Sequence, residues 1–264
     1  MEVCILKISK KAFTLAEVLT GRGALPPVGA KTGFTLAEIL ITLGIIGIVA
    51  AMTIPTLIEK NREKQTVALV KEAYSIFSQA YKLVIAEHEG LGLLVDTNLT
   101  DKENATKMFQ EVSKHLKKAK SCDVNTDCLG SNYVNLQGSN VGIWDNFANI
   151  QTGVLLNGIG FWILSSTYED GSYRGQIGID INGSAKPNKL GVDFFHFLVN
   201  ENGEIFPRGS AGACKLDTTC TDIEKPYIHC DLNSTYTYNG YGCTNWLIQH
   251  GNMKYLKQNI VNEK

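Results

Sequence analysis

The sequence predicts an α+β fold, in which one long amino-terminal helix packs on a small antiparallel β-sheet. A continuous apolar stretch over residues 34–58 runs directly into an amphipathic stretch over residues 59–89. Short segments rich in β-branched and aromatic residues follow, separated from one another by Gly, Asn or Asp. Helical periodicity followed by a run of strands is typical of α+β proteins rather than of alternating α/β proteins.

The composition is that of a globular protein with nearly neutral charge. The chain has 264 residues, 44% of them hydrophobic, and a formal net charge of −1 at pH 7. This length fits one or two ordinary domains. Because nucleic-acid-binding proteins usually show a basic face, we expect no nucleic-acid partner.

Residues 34–58 have the length and composition of a transmembrane segment, and Glu38 is their only charged residue. About 25 residues at a rise of about 1.5 Å each reach roughly 37 Å, which exceeds a bilayer core of about 30 Å. Gly44, Gly47 and Ala51 are small residues of the kind that let membrane helices approach closely. The apolar run is too long for a cleaved secretory signal. The alternative to a functional membrane segment is a plain signal anchor.

The flanking charges predict the orientation of this segment. Five Lys and Arg residues precede Phe34, against two Glu residues. Basic flanks stay on the cytoplasmic side of a membrane. We therefore expect a single-pass protein of the cytoplasmic (inner) membrane, with its amino terminus inside and residues 90–264 forming an exported globular domain.

Glu38 is a costly residue for a membrane segment. A carboxylate in the hydrocarbon region costs about 2.5–3.5 kcal/mol on insertion scales, and such residues usually have a partner. No positive charge lies in the same apolar stretch. Glu38 is therefore predicted to be functional, with a partner supplied from outside this segment.

The sequence "GFTLAE", which begins at Gly33 and is followed by the apolar run, closely resembles the processing signal of type IV prepilins and type II secretion pseudopilins. The resemblance implies that a prepilin peptidase cuts between Gly33 and Phe34, releases residues 1–33 as a leader, and methylates the new amino terminus. It also implies that Glu38 pairs with the amino terminus of a neighbouring subunit during assembly. Pro55 lies where members of the family often carry a helix-breaking proline, and a proline inside a helix removes a backbone donor and kinks it.

The same resemblance implies the partners and the location. The partners would be prepilin peptidase, other pilin or pseudopilin subunits, and the assembly platform of a secretion or pilus machine. The chain would reside first in the cytoplasmic membrane and then in a periplasmic or cell-surface fibre, with a pilin-like fold. The close resemblance covers residues 31–88 and is looser beyond them.

A near copy of the motif, "AFTLAEVLT", lies upstream, but its apolar run stops at Gly21 and is followed by Pro26 and Pro27. Proline bars continuation of a helix. A chain cut before Phe13 would carry Glu17 with no membrane span behind it. The first copy is therefore interpreted as a duplication remnant or as part of an overlong leader.

Two amphipathic helices are predicted after the apolar run. Apolar residues recur at spacings of three and four in residues 59–89, which continue the membrane helix. That stripe, expected to be core rather than a ligand site, consists of Val67, Val70, Tyr74, Phe77, Tyr81 and Val84. A second, short helix is predicted over residues 101–120, with its lysines as a solvated face. Its apolar stripe consists of Met108, Phe109, Val112 and Leu116.

Five strand candidates follow between residues 153 and 209, with a tight hairpin at Asn202-Gly203. His196 alternates with phenylalanines in one of these strands, so we interpret it as a strand-face histidine.

The segment "DINGSAKPNKLGVD" contains Asp180, Asn182 and Asp193, which offer hard oxygen ligands for Ca²⁺. The spacing is not that of an EF-hand, and Asp, Asn, Gly and Pro also form turns for local reasons. A structural turn is the preferred interpretation and a Ca²⁺ site is the alternative. We predict no other cofactor.

Six of the seven cysteines lie far beyond the apolar run. Closely spaced cysteines in even number predict disulfides in an oxidising compartment, although six cysteines allow fifteen pairings. The pairs suggested by proximity are Cys122–Cys128, Cys214–Cys220 and Cys230–Cys243. The alternatives are buried free thiols and a zinc site formed by Cys214, Cys220, His229 and Cys230.

The chain contains no nucleophile elbow, P-loop, GxGxxG fingerprint or HExxH motif. The first functional hypothesis is therefore a non-enzymatic fibre subunit, a pilin or pseudopilin. One alternative is a minor pilin at a fibre tip that binds a ligand. The other is an uncleaved, membrane-anchored exported enzyme.

Overall fold

The computed structural model describes residues 34–96, 98–122, 128–141, 150–167, 173–216 and 229–260. The chain divides into two units, Met1–Met52 and Thr53–Lys264. Gly33, Cys4, Cys220 and the upstream copy of the motif lie outside the described residues.

Four helices and six strands are present in the described part of the chain. The helices are α1 (Leu36–His88), α2 (Asp101–Lys114), α3 (Ala211–Leu216) and α4 (Cys243–His250), with short 3₁₀ helices at Leu91–Leu93 and Lys254–Leu256. The strands are β1 (Lys118–Cys122), β2 (Gln151–Leu155), β3 (Gly160–Thr167), β4 (Tyr173–Asp180), β5 (Phe194–Val199) and β6 (Ile205–Pro207). They form one antiparallel sheet in the order β1-β2-β3-β4-β5-β6. The predicted α+β class, with a long helix and a small antiparallel sheet, is confirmed.

The first stretch of α1 keeps its apolar side chains on the surface. Ile41 is 62% exposed and Met52 is 72% exposed. This is the one helix among the described residues that is long and apolar enough to cross a membrane. The later part of α1 is different, because Val70, Phe77 and other members of the predicted stripe are buried.

The core of the second unit lies between the helices and one face of the sheet. On β3, Phe161 packs against Phe77 of α1 and Phe109 of α2, at ring-centroid distances of 5.2 Å and 5.9 Å. Because side chains alternate along a strand, the next residue, Trp162, belongs to a smaller cluster on the other face, together with Tyr133 and other residues. Both faces of the sheet are therefore covered.

The segment after α2 differs from its prediction. Helix α2 ends at Lys114, and Lys118–Cys122 form strand β1 instead of a further helical turn. His115 caps the helix, with its N–H directed at the carbonyls of Val112 and Ser113. The strand then pairs with β2, with Cys122 opposite Thr152.

The hairpin between β5 and β6 turns at the predicted Asn202-Gly203. The N–H of Gly203 donates to the carbonyl of Asn200 at 3.0 Å. Gly203 has a φ of 68°, a left-handed conformation that glycine adopts without steric cost. The turn brings β6 beside β5, so that Val199 pairs with Ile205.

The two edge strands of the sheet are both short and shielded. On β1, Lys120 is exposed at the outer edge. On β6, Pro207 has no N–H to offer, and the carbonyl of Ile205 accepts a bond from the hydroxyl of Tyr74 at 3.2 Å. Both features oppose pairing with another strand.

The carboxy-terminal segment packs onto α1 within the second unit. Trp246 of α4 and Tyr255 are buried. The N–H of Met253 donates to Oε1 of Glu63 at 2.6 Å, and Lys257 forms an ion pair with Glu59 at 2.9 Å.

Candidate functional site

The start of α1 is a capping box formed by two residues of the FTLAE motif. Oε2 of Glu38 accepts bonds from the backbone N–H and the hydroxyl of Thr35, both at 2.8 Å. The hydroxyl oxygen of Thr35 in turn accepts the N–H of Glu38 at 3.3 Å. This reciprocal pattern satisfies donors at a helix start that otherwise have no partner. Glu38 therefore has a local structural role, which was not predicted from the sequence.

The residues around this cap are exposed. Phe34, the predicted new amino terminus, is 84% exposed. Gly44 and Gly47, further along α1, also have open surroundings, because a Cβ added at either position would meet no atom within 4 Å. Folding of the chain itself therefore does not require glycine at these two positions.

Pro55 lies inside α1, which continues on both sides of it. Because proline has no backbone N–H, the carbonyl four residues earlier, that of Ala51, loses its usual helical donor. The helix has a local weak point there, close to the boundary between the two units at Met52.

The calcium candidates are brought together at the end of β4 and in the following loop. Asp180 is fully buried and accepts a bond from the N–H of Asn182 at 3.2 Å and another from the hydroxyl of Tyr133. Burial, helped by the nearby carboxylate of Asp193, raises the pKa of Asp180 to about 8, against the lowering effect of the Tyr133 bond. Tyr133 precedes Asp180 by 47 residues and had no visible signal in the sequence.

Asp193 organises the other end of the same loop. Its carboxylate accepts the backbone N–H groups of Asn188 at 2.8 Å and Lys189 at 2.6 Å. Nδ2 of Asn182 donates to it as well, at 3.4 Å. Burial raises the pKa of Asp193, and these bonds oppose the rise.

Asp180, Asn182 and Asp193 alone supply fewer side-chain oxygens than a Ca²⁺ site uses. Calcium takes six to eight oxygen ligands. Here both oxygens of Asp193 accept backbone N–H groups, and Asn182 directs its amide nitrogen rather than its oxygen at Asp193. The arrangement favours the structural turn, in which buried carboxylates hold the loop by accepting local donors.

The five cysteines among the described residues are all disulfide-bonded. The predicted pairs Cys122–Cys128 and Cys230–Cys243 are present, and Cys214 is also disulfide-bonded. Its predicted partner, Cys220, lies outside the described residues. Zinc binding needs deprotonated thiols, and a sulfur atom in a disulfide cannot supply one. The alternative zinc site that includes Cys214 and Cys230 is therefore excluded.

His196 lies on β5 and is fully buried in a polar cluster. Its Nε2 lies 3.1 Å from Oε1 of Gln176, and Nη1 of Arg208 lies 3.4 Å from its Nδ1. The guanidinium of Arg208 lies over the ring of Tyr241, 5.1 Å from its centroid. The strand-face interpretation of His196 fits this position, whereas no sequence pattern marks Arg208 as its partner.

An open groove of about 880 Å³ lies in the second unit between α1, β6, α3 and α4. Tyr74, Phe206 and Ile248 contribute apolar surface to its lining, and Gln79 and Gln249 contribute amide groups. Mixed aromatic and amide linings suit polar ligands with apolar faces.

Comparison of the chain with protein-family models, curated proteins and solved structures gave no match. The function is therefore inferred from the residues and their geometry.

Proposed function

We propose that the chain is a structural subunit of a prepilin-type fibre, either a type IV pilus or a type II secretion pseudopilus. It would be cut between Gly33 and Phe34 by prepilin peptidase and assembled through residues 34–58. Residues 90–264 would form the exported domain. The observation that carries the proposal is the GFTLAE motif at the start of α1, followed by a run of apolar side chains that the chain itself leaves exposed.

The uncovered surface on α1 requires a partner. Ile45, Ile46 and Ile48 are each more than half exposed, and so are most of their large apolar neighbours. Burial of apolar surface is worth roughly 25 cal/mol per Å², and continuous exposed apolar surface of this extent marks a membrane or protein contact. Lipid would cover this surface before assembly, and the helices of neighbouring subunits would cover it afterwards.

The cap at Glu38 leaves capacity for a second partner. Both bonds from Thr35 are accepted by Oε2. A carboxylate has two oxygens with about four acceptor positions, so Oε1 is available for the amino group of a neighbouring subunit. Capping and assembly are therefore compatible roles for one side chain.

The amino terminus of the mature protein tests the proposal most directly. Mass spectrometry of protein purified from its native membrane should show a chain that begins with N-methylated Phe34. A mature chain that retains residues before Gly33, or that is cut after Ala51, would contradict the proposal. An intact amino terminus would favour the alternative of a membrane-anchored exported enzyme.

Substitutions at the helix start separate capping from assembly. Glu38→Ala should still insert into the membrane but enter fibres poorly. Glu38→Gln keeps a capping acceptor and removes the charge, whereas Thr35→Ala removes the cap and keeps the charge. Fibre entry, measured by immunoblotting of sheared fibres, should fall for both Glu38 variants and be nearly normal for Thr35→Ala. Normal entry of Glu38→Gln would remove the assembly role of the carboxylate.

The groove beside β6 favours a second candidate function, a ligand-binding subunit at a fibre tip. Its aromatic and amide lining would suit a carbohydrate. A glycan array probed with the full chain in detergent micelles would test it, with Phe206→Ala as the variant that should lose binding. Abundant incorporation along the fibre shaft would oppose it.

A further inference from the structure

Two histidine–glutamate pairs join the end of α1 to α2 within the second unit. Nε2 of His88 lies 2.8 Å from Oε2 of Glu111, and Nε2 of His115 lies 3.1 Å from Oε2 of Glu87. Glu87 and His88 are in the last turn of α1. Glu111 and His115 are four residues apart, which places them on one face at the end of α2. The segment between the two helices therefore brings three potential metal ligands together, Glu87, His88 and Glu111, with His115 beside Glu87.

We propose that Glu87, His88 and Glu111 form a binding site for a divalent transition-metal ion. One ligand atom from each of these residues lies within 4.8 Å of the other two. Ligand atoms of a tetrahedral zinc site lie about 2.0–2.2 Å from the metal and hence roughly 3.3 Å from one another. A contraction of about 1.5 Å or less closes the site, and side-chain rotation on two packed helices supplies it.

His115 acts as a positioning residue in this site. Its Nε2 lies 3.1 Å from Oε2 of Glu87 and would orient that carboxylate towards the ion. Its side chain is 14% exposed. Among the three ligands, Glu111 is 16% exposed, His88 is 31% exposed and Glu87 is 48% exposed. Partial burial of this kind fixes ligand positions better than a fully solvated surface does. A water molecule would occupy the fourth position of the tetrahedron.

The ligand types indicate the class of metal. Imidazole suits Zn²⁺ and its neighbours in the first transition row, whereas Ca²⁺ and Mg²⁺ prefer oxygen ligands alone. Two carboxylates balance the charge of a divalent ion. Zn²⁺ should therefore bind more tightly than Mn²⁺, and Ca²⁺ should not compete at similar concentration.

Lys114 competes with the metal in the present arrangement. Its Nζ lies 2.5 Å from Oε2 of Glu111, the same oxygen that contacts His88. The Lys114 side chain is 56% exposed, so it can move into solvent when an ion arrives. Removing this ammonium group should strengthen metal binding. Nonspecific association with a carboxylate surface would instead respond equally to the removal of any nearby lysine.

The test is a Zn²⁺ titration of the full chain in detergent micelles after removal of metals with a chelator. Isothermal titration calorimetry should show one ion per chain. Both His88→Asn and Glu111→Gln should weaken binding by at least about tenfold, and His115→Asn by roughly tenfold, the effect typical of an outer-shell partner. In the Co²⁺-loaded protein, the visible absorption of tetrahedral cobalt should appear and be lost in His88→Asn.

A matched pair of lysine variants keeps the test decisive if a ligand variant fails to fold. Lys114→Ala and Lys117→Ala each remove one positive charge, but only Lys114 contacts Glu111 in the structure. Lys114→Ala should bind Zn²⁺ several-fold more tightly than Lys117→Ala. Equal affinities of these two variants, undiminished binding by His88→Asn, or no binding of Zn²⁺ by the unmodified chain would each overturn the proposal.

Discussion

Helices α1 and α2 begin with the same four-residue device but lead into opposite surroundings. Thr35 and Glu38 form the capping box of α1, with bonds of 2.8, 2.8 and 3.3 Å. Thr100 and Glu103 form the capping box of α2, with bonds of the same three lengths. After the cap, α1 exposes its apolar side chains, whereas α2 buries its apolar stripe against the sheet.

The local geometry of Glu38 does not by itself indicate a special function, because Glu103 has the same geometry at an ordinary helix start. The two residues differ in the helices that they cap, since Glu38 lies in the first turn of α1, whose following apolar residues are exposed. The functional proposal for Glu38 therefore depends on its surroundings.

The largest difference in the free energy of unfolding should be between a methionine truncated on α2 and a methionine truncated on α1. Met108→Ala on α2 removes a fully buried side chain, and such truncations cost about 2–5 kcal/mol in the free energy of unfolding. Met52→Ala on α1 removes a side chain that is 72% exposed and should leave the free energy of unfolding of the second unit nearly unchanged. Denaturant titration in detergent micelles, followed by the fluorescence of the buried Trp162 and Trp246, measures both. Equal destabilisation by the two variants would contradict the difference in burial between Met108 and Met52.

Asp180 is a buried carboxylate, in contrast to the exposed capping residues Glu38 and Glu103. The pKa of Asp180 is raised from 3.8 to about 8, so between these values the native chain binds more protons than the unfolded chain. Its contribution to stability is therefore fully present below about pH 4 and is lost as the pH rises through about 8. The loss is at most about 1.4 kcal/mol per pH unit.

Asp180→Asn tests this pH dependence, because the amide cannot take up a charge. The free energy of unfolding, measured from pH 4 to pH 9, should fall more steeply for the unmodified chain than for the variant. Parallel curves would show that Asp180 does not carry a raised pKa.

The smallest effect should come from the caps themselves. Thr100→Ala removes the capping hydroxyl of α2 and should cost about 1 kcal/mol in the free energy of unfolding. Thr35→Ala removes the equivalent hydroxyl of α1 but should not change unfolding of the second unit, because residue 35 belongs to the first unit. The same tryptophan fluorescence assay distinguishes them, and a large effect of Thr35→Ala would contradict the separation into two units.

Much of the fold could be predicted from periodicity. The stripe on α1 and five of the six strands were visible, because each carries its own apolar pattern and is bounded by turn residues. Strand β1 was missed because "KAKSC" has no strand pattern of its own. It is a strand because it pairs with β2, and the two lie about 30 residues apart in the sequence.

The candidate sites were less predictable. Asp180, Asn182 and Asp193 were grouped correctly because they lie within one loop, but the buried partner Tyr133 comes from a distant segment. His88 and Glu111 are 23 residues apart and meet only because the chain reverses between α1 and α2. The spacing of Glu111 and His115, four residues apart at the carboxy-terminal end of α2, was the available signal for this cluster.

The shielded sheet edges would limit edge-to-edge pairing in a protein whose copies are packed at high density. Subunits concentrated in a bilayer or stacked along a filament expose their sheets to one another for long periods. An open strand edge in that setting would promote amyloid-type polymerisation. Pro207 and the Tyr74 hydroxyl at one edge, and Lys120 at the other, disfavour that route. In the proposed fibre, ordered stacking would then be left to the helices, and a variant with an unprotected edge would be expected to precipitate while its fold is still intact.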